Sequence, residues 1–482
     1  MSENLNKKVV KASKWSAVTE FTARLISPVV SMVLARLLNP EAFGVVTTLT
    51  MIITFAELFT DAGFQKYLVQ HEFKDDEDRE QSTNVAFWSN FVLSVFIWIV
   101  IIVFADSLAS LVGNPGLGHV LIVACVSIPL AAFSSIQMAL YRRDFDFKTL
   151  FKVRIISILI PLIVTVPLAF SLRSYWALVI GTIAQNFVNA VLLTSYSRWK
   201  PKLYFSFMKL HEMLSFTIWS LVEAISIWLT HYVDVFIVGT MLSQHYLGLY
   251  KTSSTLVGQI MGFVIAVTTP ILFASLSRLQ NNEEEFHRLF FKFQKMVGLI
   301  IVPLGVGLFC FRNLLTTFFL GDQWMEASGF IGLWGLTSAF TIVLSHYSSE
   351  VYRAKGRPKL SVLAQWLHII VMWPVVLLSV KHGFEVLYIA RSLVRLELIL
   401  VNLIIMYYLV HISPIKMIRN IWPSIFASVI MAIVSYIICI FGNSLYWQLV
   451  SIALCIVTYI AVIFFFAEER KIILSYIMNK KL

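Results

Sequence analysis

The stretch LARLLNPEAFGVV (Leu34–Val46) returns 204 residues later as VGTMLSQHYLGLY (Val238–Tyr250). In this register Leu38 meets Leu242 and Gly44 meets Gly248, and in each copy a short polar step interrupts two apolar runs. Both copies read as a tight turn between two membrane-crossing helices. A second pair lies farther on: QMALYRRDFDFK (Gln137–Lys148) matches SSEVYRAKGRPK (Ser348–Lys359) at a shift of 211, with Tyr141-Arg142 opposite Tyr352-Arg353. The shift grows slowly, as it does when loops gain residues after a duplication.

Working outward from these turns, a bilayer core of about 30 Å needs about 20 residues of helix. The chain offers fourteen such runs. They fall at about 15–38, 42–66, 84–110, 117–141, 150–171 and 174–197, then 212–242, 246–276, 290–320, 326–352, 360–380 and 384–410, and finally 420–441 and 446–467. The expected fold is therefore all-α and polytopic. Residues 1–205 form one six-helix lobe, 206–412 a second, and 413–482 hold helices 13 and 14 and a tail. Six is an even number, so the two copies run parallel and are related by an axis along the membrane normal, with a substrate path between them.

Composition agrees. The 482 residues are 58% hydrophobic and 13% charged, against about 25% charged in soluble domains; the surplus apolar surface must face lipid. The net charge of +11 does not point to nucleic acid, because Lys and Arg sit in short patches between apolar runs. Alternating the loops places the basic patches on one side, and the other side holds only Arg173 and Lys381; both termini are then cytoplasmic. Lys7, Lys8, Lys11 and Lys14 precede no short apolar core with a small-residue cleavage site, so the start reads as an uncleaved helix. Cys125, Cys310, Cys439 and Cys455 show no metal-ligand or disulfide spacing. The longest connections, HEFKDDEDREQ (His71–Gln81) and Ser277–His287, read as solvated linkers too short for a catalytic module. No glycine-rich phosphate loop is present. These features argue against an enzyme and against direct ATP drive.

Ten ionisable residues fall inside the runs: Arg24, Glu57, Asp61, Glu223, Asp234, Lys251, Glu350, Arg391, Arg395 and Glu397. A charge at the bilayer centre costs about 2.5–3.5 kcal/mol on insertion scales. Ten facing lipid would cost roughly 25–35 kcal/mol, more than the 5–15 kcal/mol or so of net stability typical of a domain. Most must face water or each other. Ser16, Glu20, Arg24, Ser27 and Ser31 recur at three- and four-residue steps, as do Thr47, Thr50, Thr54, Glu57 and Asp61, so each set makes one polar stripe. Simpler readings stand beside the functional ones. Glu20–Arg24 fits a structural ion pair, Asp61 a helix end, Lys251 a snorkelling side chain, and Glu397 a counter-ion for a neighbouring arginine. Arg391 and Arg395, one turn apart, call for an anion and read as substrate or pathway residues. At the 204 shift Arg24 aligns with Trp228 and Lys251 with Thr47. The charges are not shared between the copies, as expected of specialised halves.

LARLLNPEAFGVV, FAELFTDAGFQKYLVQ (Phe55–Gln70) and QMALYRRDFDFK together resemble the polysaccharide transporter branch of the multidrug/oligosaccharidyl-lipid/polysaccharide flippase superfamily. Within it they resemble Wzx-type exopolysaccharide and O-unit flippases of the colanic-acid and teichuronic-acid kind. The resemblance implies two six-helix lobes in a V plus two C-terminal helices, working by alternating access in a bacterial inner membrane. It implies export of an oligosaccharide repeat unit on undecaprenyl pyrophosphate, for exopolysaccharide or lipopolysaccharide synthesis. No cofactor is implied beyond a proton or sodium gradient, and the polysaccharide polymerase and export machinery are implied partners. Arg24, Lys251, Arg391 and Arg395 would then hold pyrophosphate and acidic sugars. Glu57, Asp61, Glu223, Asp234, Glu350 and Glu397 would be the ion-coupling or gating candidates. The rival readings are a cation-coupled multidrug exporter of the same superfamily, which would have twelve helices and a mostly apolar or acidic binding chamber, and a membrane-embedded polymerase, which would have a sizeable outer loop or a cytoplasmic nucleotide-sugar domain.

Overall fold

The computed structural model describes residues 2–61, 63–442 and 444–470. Side chains are described from Lys14 onward, except at 17, 61, 215–220, 222 and 223. Among the described residues, fourteen helical spans are long and apolar enough to cross a membrane. In chain order they are α1 Ser2–Leu37, α2 Pro40–Asp61, α3 Asp76–Val103, α4 Gly118–Arg143, α5 Phe147–Leu172, α6 Trp176–Tyr196 and α7 Phe207–Met241. Then follow α8 Gln244–Arg278, α9 Glu283–Cys310, α10 Asp322–Ala354, α11 Lys359–His382, α12 Phe384–Val410, α13 Pro414–Ile440 and α14 Leu445–Ile463. No strand occurs among the described residues. Each run expected from hydropathy has its helix. Outer faces carry exposed Phe96, Phe170, Leu378 and Ile404, the surface a lipid-embedded helix needs.

Boundaries moved where polar residues found helical work. The two acidic stretches expected as linkers run into helices. Asp75 caps α3 by accepting from the Asp78 N–H at 2.7 Å, and Asn282 caps α9 through Glu285 N–H at 3.2 Å. Three acidic residues fill the first turn of each helix, where they complement the helix dipole. The second run, expected to reach residue 66, stops at Asp61, and Phe64–Gln70 forms a separate short helix. The ninth also ends early, so Arg312 belongs to a short helix, Arg312–Phe319, in the connection after α9. Pro161 opens a π-helical turn, while Pro28, Pro270, Pro303 and Pro374 lie inside unbroken helices.

The repeat holds at the level of hydrogen bonds. Phe145 and Gly356, equivalent at the 211 shift, both take positive φ (58° and 69°) just past the ends of α4 and α10. Asp146 N–H then reaches back to Tyr141 O, and Arg357 N–H to Tyr352 O. The same left-handed cap ends both helices.

By packing, the chain divides into two compact units, one running to Lys251 and one from Thr252. In the first, α1 packs on α5, α4 on α3 and α6, and α2 on α7. In the second, α9 packs on α10 and α13, α13 on α14, and α12 on α10 and α11. The boundary falls two turns into α8, so α7 packs within the first unit although it opens the second sequence repeat. Both its ends are tied there. At one end Met213 is fully buried with Phe64, Tyr67, Leu68 and Phe87, and Lys209 pairs with Asp78. At the other the two repeated turns meet reciprocally. A Cβ on Gly44 would fall 1.9 Å from Gln244 O, and one on Gly248 would fall 1.8 Å from Pro40 O. Gln244 aligns with Pro40 at the 204 shift, so each turn presses its glycine on its counterpart's backbone. His245 Nδ1 lies 3.7 Å from Glu41 across the same seam.

Gly44→Ala and Gly248→Ala should each destabilise the protein by about 1–3 kcal/mol, the usual cost of overpacking. The measure is the thermal transition of the detergent-purified chain. Gly258→Ala, with nothing within 4 Å of the added methyl, should leave it close to wild type.

Candidate functional site

Each unit holds its own polar cluster. In the first, the α2 stripe is possible in a membrane because its hydroxyls bond back to their own helix: Thr47 to Phe43 O, Thr50 to Val46 O and Thr54 to Thr50 O, at 2.7–2.8 Å. Thr54 Oγ1 also accepts from Trp228 Nε1 of α7 at 3.2 Å. The Trp228 ring lies between Phe55 of α2 (4.8 Å) and Tyr232 one turn on (5.3 Å, stacked). Lys251 Nζ sits 5.3 Å above the Tyr232 ring. Thr54, Phe55, Trp228, Tyr232 and Lys251 thus form one continuous row. Asp234, only 6% exposed, accepts from Tyr250 OH at 2.5 Å and from Val235 N–H at 2.8 Å.

Arg24 stands apart from this row and faces Glu20 at 3.7 Å; both side chains are substantially exposed. The local pair read from the sequence is present. A pair this open is worth about 0–1 kcal/mol. Glu57 is half-buried on α2. The side chains of Asp61 and Glu223 lie outside the described residues.

In the second unit α12 places Arg391 and Arg395 one turn apart, and both guanidiniums lie over the single ring of Trp334 on α10, at 5.0 and 4.1 Å. Arg395 also donates to Ser338 Oγ at 2.6 Å, one turn beyond Trp334. A ring quadrupole contributes about 0.5–2 kcal/mol per cation, yet it carries no net charge. Two positive groups are thereby held side by side on one ring. Glu397 is engaged by a partner the sequence reading did not name: His368 of α11, 5% exposed, places Nδ1 2.9 Å from Glu397 Oε2. About two turns beyond Arg395, Asn402 accepts from Tyr352 OH at 3.0 Å and donates to Ser345 Oγ at 2.9 Å. Glu350 is separate from the arginines. It is buried in the last turns of α10, where Arg353 bonds to it.

Of the ten charged candidates, the structure gathers Asp234 and Lys251 with one aromatic row, and Arg391, Arg395 and Glu397 into another cluster. Trp228, Tyr232, Trp334, Ser338 and His368 were missed. They carry no obligatory charge, so no insertion cost singles them out in an apolar run. Among the described residues no group of His, Cys, Asp and Glu could hold a metal ion.

Removing His368 takes the partner from a half-buried carboxylate, and removing Glu397 takes the partner from a buried imidazole, at about 1–3 kcal/mol. The single changes His368→Ala and Glu397→Ala should be non-additive. In a double-mutant cycle on unfolding free energy, the double variant should lose about 0.5–3 kcal/mol less than their sum.

Comparison with known proteins follows the same line. The family model described as "Polysaccharide biosynthesis protein" matches residues 33–329. The succinoglycan biosynthesis transport protein ExoT of Rhizobium meliloti is 23% identical over 76% of this chain and 73% of its own. The lipopolysaccharide biosynthesis protein WzxC of Escherichia coli is 21% identical over 67% of this chain and 65% of its own. Among solved structures, the lipid II flippase MurJ in an inward closed conformation superposes with a TM-score of 0.76, at 16% identity, over 94% of this chain and 99% of that one. This last likeness establishes the fold. The family match covers well over half of the 482 residues, and the chain belongs to the polysaccharide biosynthesis protein family.

Proposed function

We propose that this multi-pass membrane protein is a flippase rather than an enzyme. It carries an oligosaccharide repeat unit, linked to undecaprenyl pyrophosphate, from the cytoplasmic to the outer leaflet of a bacterial inner membrane by alternating access. The carrying observation is the pair Arg391 and Arg395, held on Trp334 in the interior of a membrane bundle. An insertion cost of about 2.5–3.5 kcal/mol per charge is tolerated where an anionic ligand gains from it. Pyrophosphate and acidic sugars have that chemistry, and Arg in particular binds phosphate through two parallel N–H donors. The names of the relatives, a succinoglycan transport protein and a lipopolysaccharide biosynthesis protein, support the same substrate class.

In this reading Lys251 and Arg24 add positive charge in the first unit. Asp234, Glu57 and the His368–Glu397 pair are the groups able to take up a coupled proton or sodium ion. Both termini lie in the cytoplasm, with the basic loops. The released unit passes to a polymerase and export machinery on the outer side.

The Arg391→Ala/Arg395→Ala variant should insert normally yet make no surface polysaccharide. Deletion of the gene should accumulate an undecaprenyl-linked saccharide on the cytoplasmic leaflet, read by lipid extraction and mass spectrometry. Normal polymer from the double variant would remove the arginines from the mechanism. Absence of any such lipid in the deletion strain would end the flippase reading.

A further inference from the structure

Two helices open with the same four-residue pattern, 207 residues apart. Ser206-Phe-Met-Lys209 starts α7 and Ser413-Pro-Ile-Lys416 starts α13, and in both the serine hydroxyl accepts from the lysine backbone N–H at 3.5 Å. The local structure is the same, and the fate of the lysine charge is not. Lys209 is neutralised by Asp78 at the start of α3, with the two side chains 14% and 20% exposed. The residue 207 positions beyond Asp78 is Glu285, at the start of α9, and it bonds Arg288 at 3.2 Å. Among the described residues neither Lys416 nor Arg419, one turn on, has an ion-pair partner.

Those two cations line a cavity of about 520 Å³ between the start of α9, the start of α13 and the segment after α14. A third cation in its wall, Lys295, is already matched by Glu468 and Glu469. Three cations in the wall thus stand against two carboxylates, a surplus of one positive charge, and Lys416 and Arg419 lie beside the N-terminus of a 27-residue helix whose dipole adds to it. From Leu299, one turn beyond Lys295 on α9, a second cavity of about 570 Å³ begins. It is lined by Pro303, Leu304, Met431, Ile456 and Ile460 of α9, α13 and α14. A ligand that meets both surfaces has an anionic head and a hydrocarbon tail.

We infer that the cavity at the start of α13 binds the phosphate of a membrane lipid, with Lys416 and Arg419 as its ligands. The exogenous phosphate takes the place that Asp78 fills for Lys209. This site is distinct from the arginine pair on Trp334 and does not depend on what the protein transports. One chemistry, a lipid-borne phosphate, could come from an anionic phospholipid of the leaflet or from a polyprenyl carrier.

The test uses the full chain in nanodiscs of neutral phosphatidylcholine, doped with phosphatidylglycerol or with undecaprenyl phosphate. Retained lipid is counted by native mass spectrometry, and inorganic phosphate serves as competitor. The wild type should retain at least one of the two lipids. Lys416→Ala/Arg419→Ala should weaken retention about tenfold or more with an unchanged thermal transition, and Lys416→Arg/Arg419→Lys should restore it. Lys209→Ala should lower the thermal transition and leave lipid retention as it was. Retention of phosphatidylglycerol alone identifies a phospholipid site, of undecaprenyl phosphate alone a carrier site, and of both a site that reads a phosphate not cancelled by a headgroup cation, as it is in phosphatidylcholine. Retention of neither by the wild type, equal retention by the double alanine variant, or displacement by inorganic phosphate at equal concentration would overturn the assignment.

Discussion

Hydrocarbon offers no partner to a charge or an unbonded polar group, so a polar side chain inside the bundle is stabilised only by another part of the protein. The threonines of α2 turn their hydroxyls onto their own backbone. Asp234 takes the Tyr250 hydroxyl, and Glu397 takes His368. Arg391 and Arg395 share one tryptophan face. The last arrangement differs in kind from the others, because the shared partner is a neutral ring.

Duplication supplied the scaffold, and divergence supplied the chemistry. The hairpin turns, the left-handed caps after α4 and α10, and the serine caps of α7 and α13 recur with the same hydrogen bonds. The charged residues inside the membrane runs do not recur. Arg24 sits where the second copy has Trp228, and the two residues behave differently. Arg24 makes an open local pair, while Trp228 joins α7 to α2 through Thr54 and Phe55. The same contrast separates Lys209, matched within the protein, from Lys416, which faces a cavity.

The reciprocal contact of the two repeated turns follows from the same symmetry. Two copies of one turn meet about a local two-fold relation, and each must bring its glycine against backbone of the other. A side chain at either position would hold the turns apart, so the glycines are required by packing rather than by backbone conformation; neither takes positive φ.

Fourteen helices, their repeat and the ionisable residues within them were legible in the chain alone. The length and hydropathy of each run, and the insertion cost of a charge, are local properties. So was the pairing of Glu20 with Arg24, four residues apart on one helix. Tertiary structure alone decided the partners drawn from other helices: Trp334 for the two arginines, His368 for Glu397, Trp228 for Thr54. It also decided that α7 packs within the first unit while its sequence belongs to the second repeat. The reason is physical. An insertion cost marks a residue that needs a partner and carries no information about which distant, uncharged side chain will meet it, because that depends on which helix faces pack together.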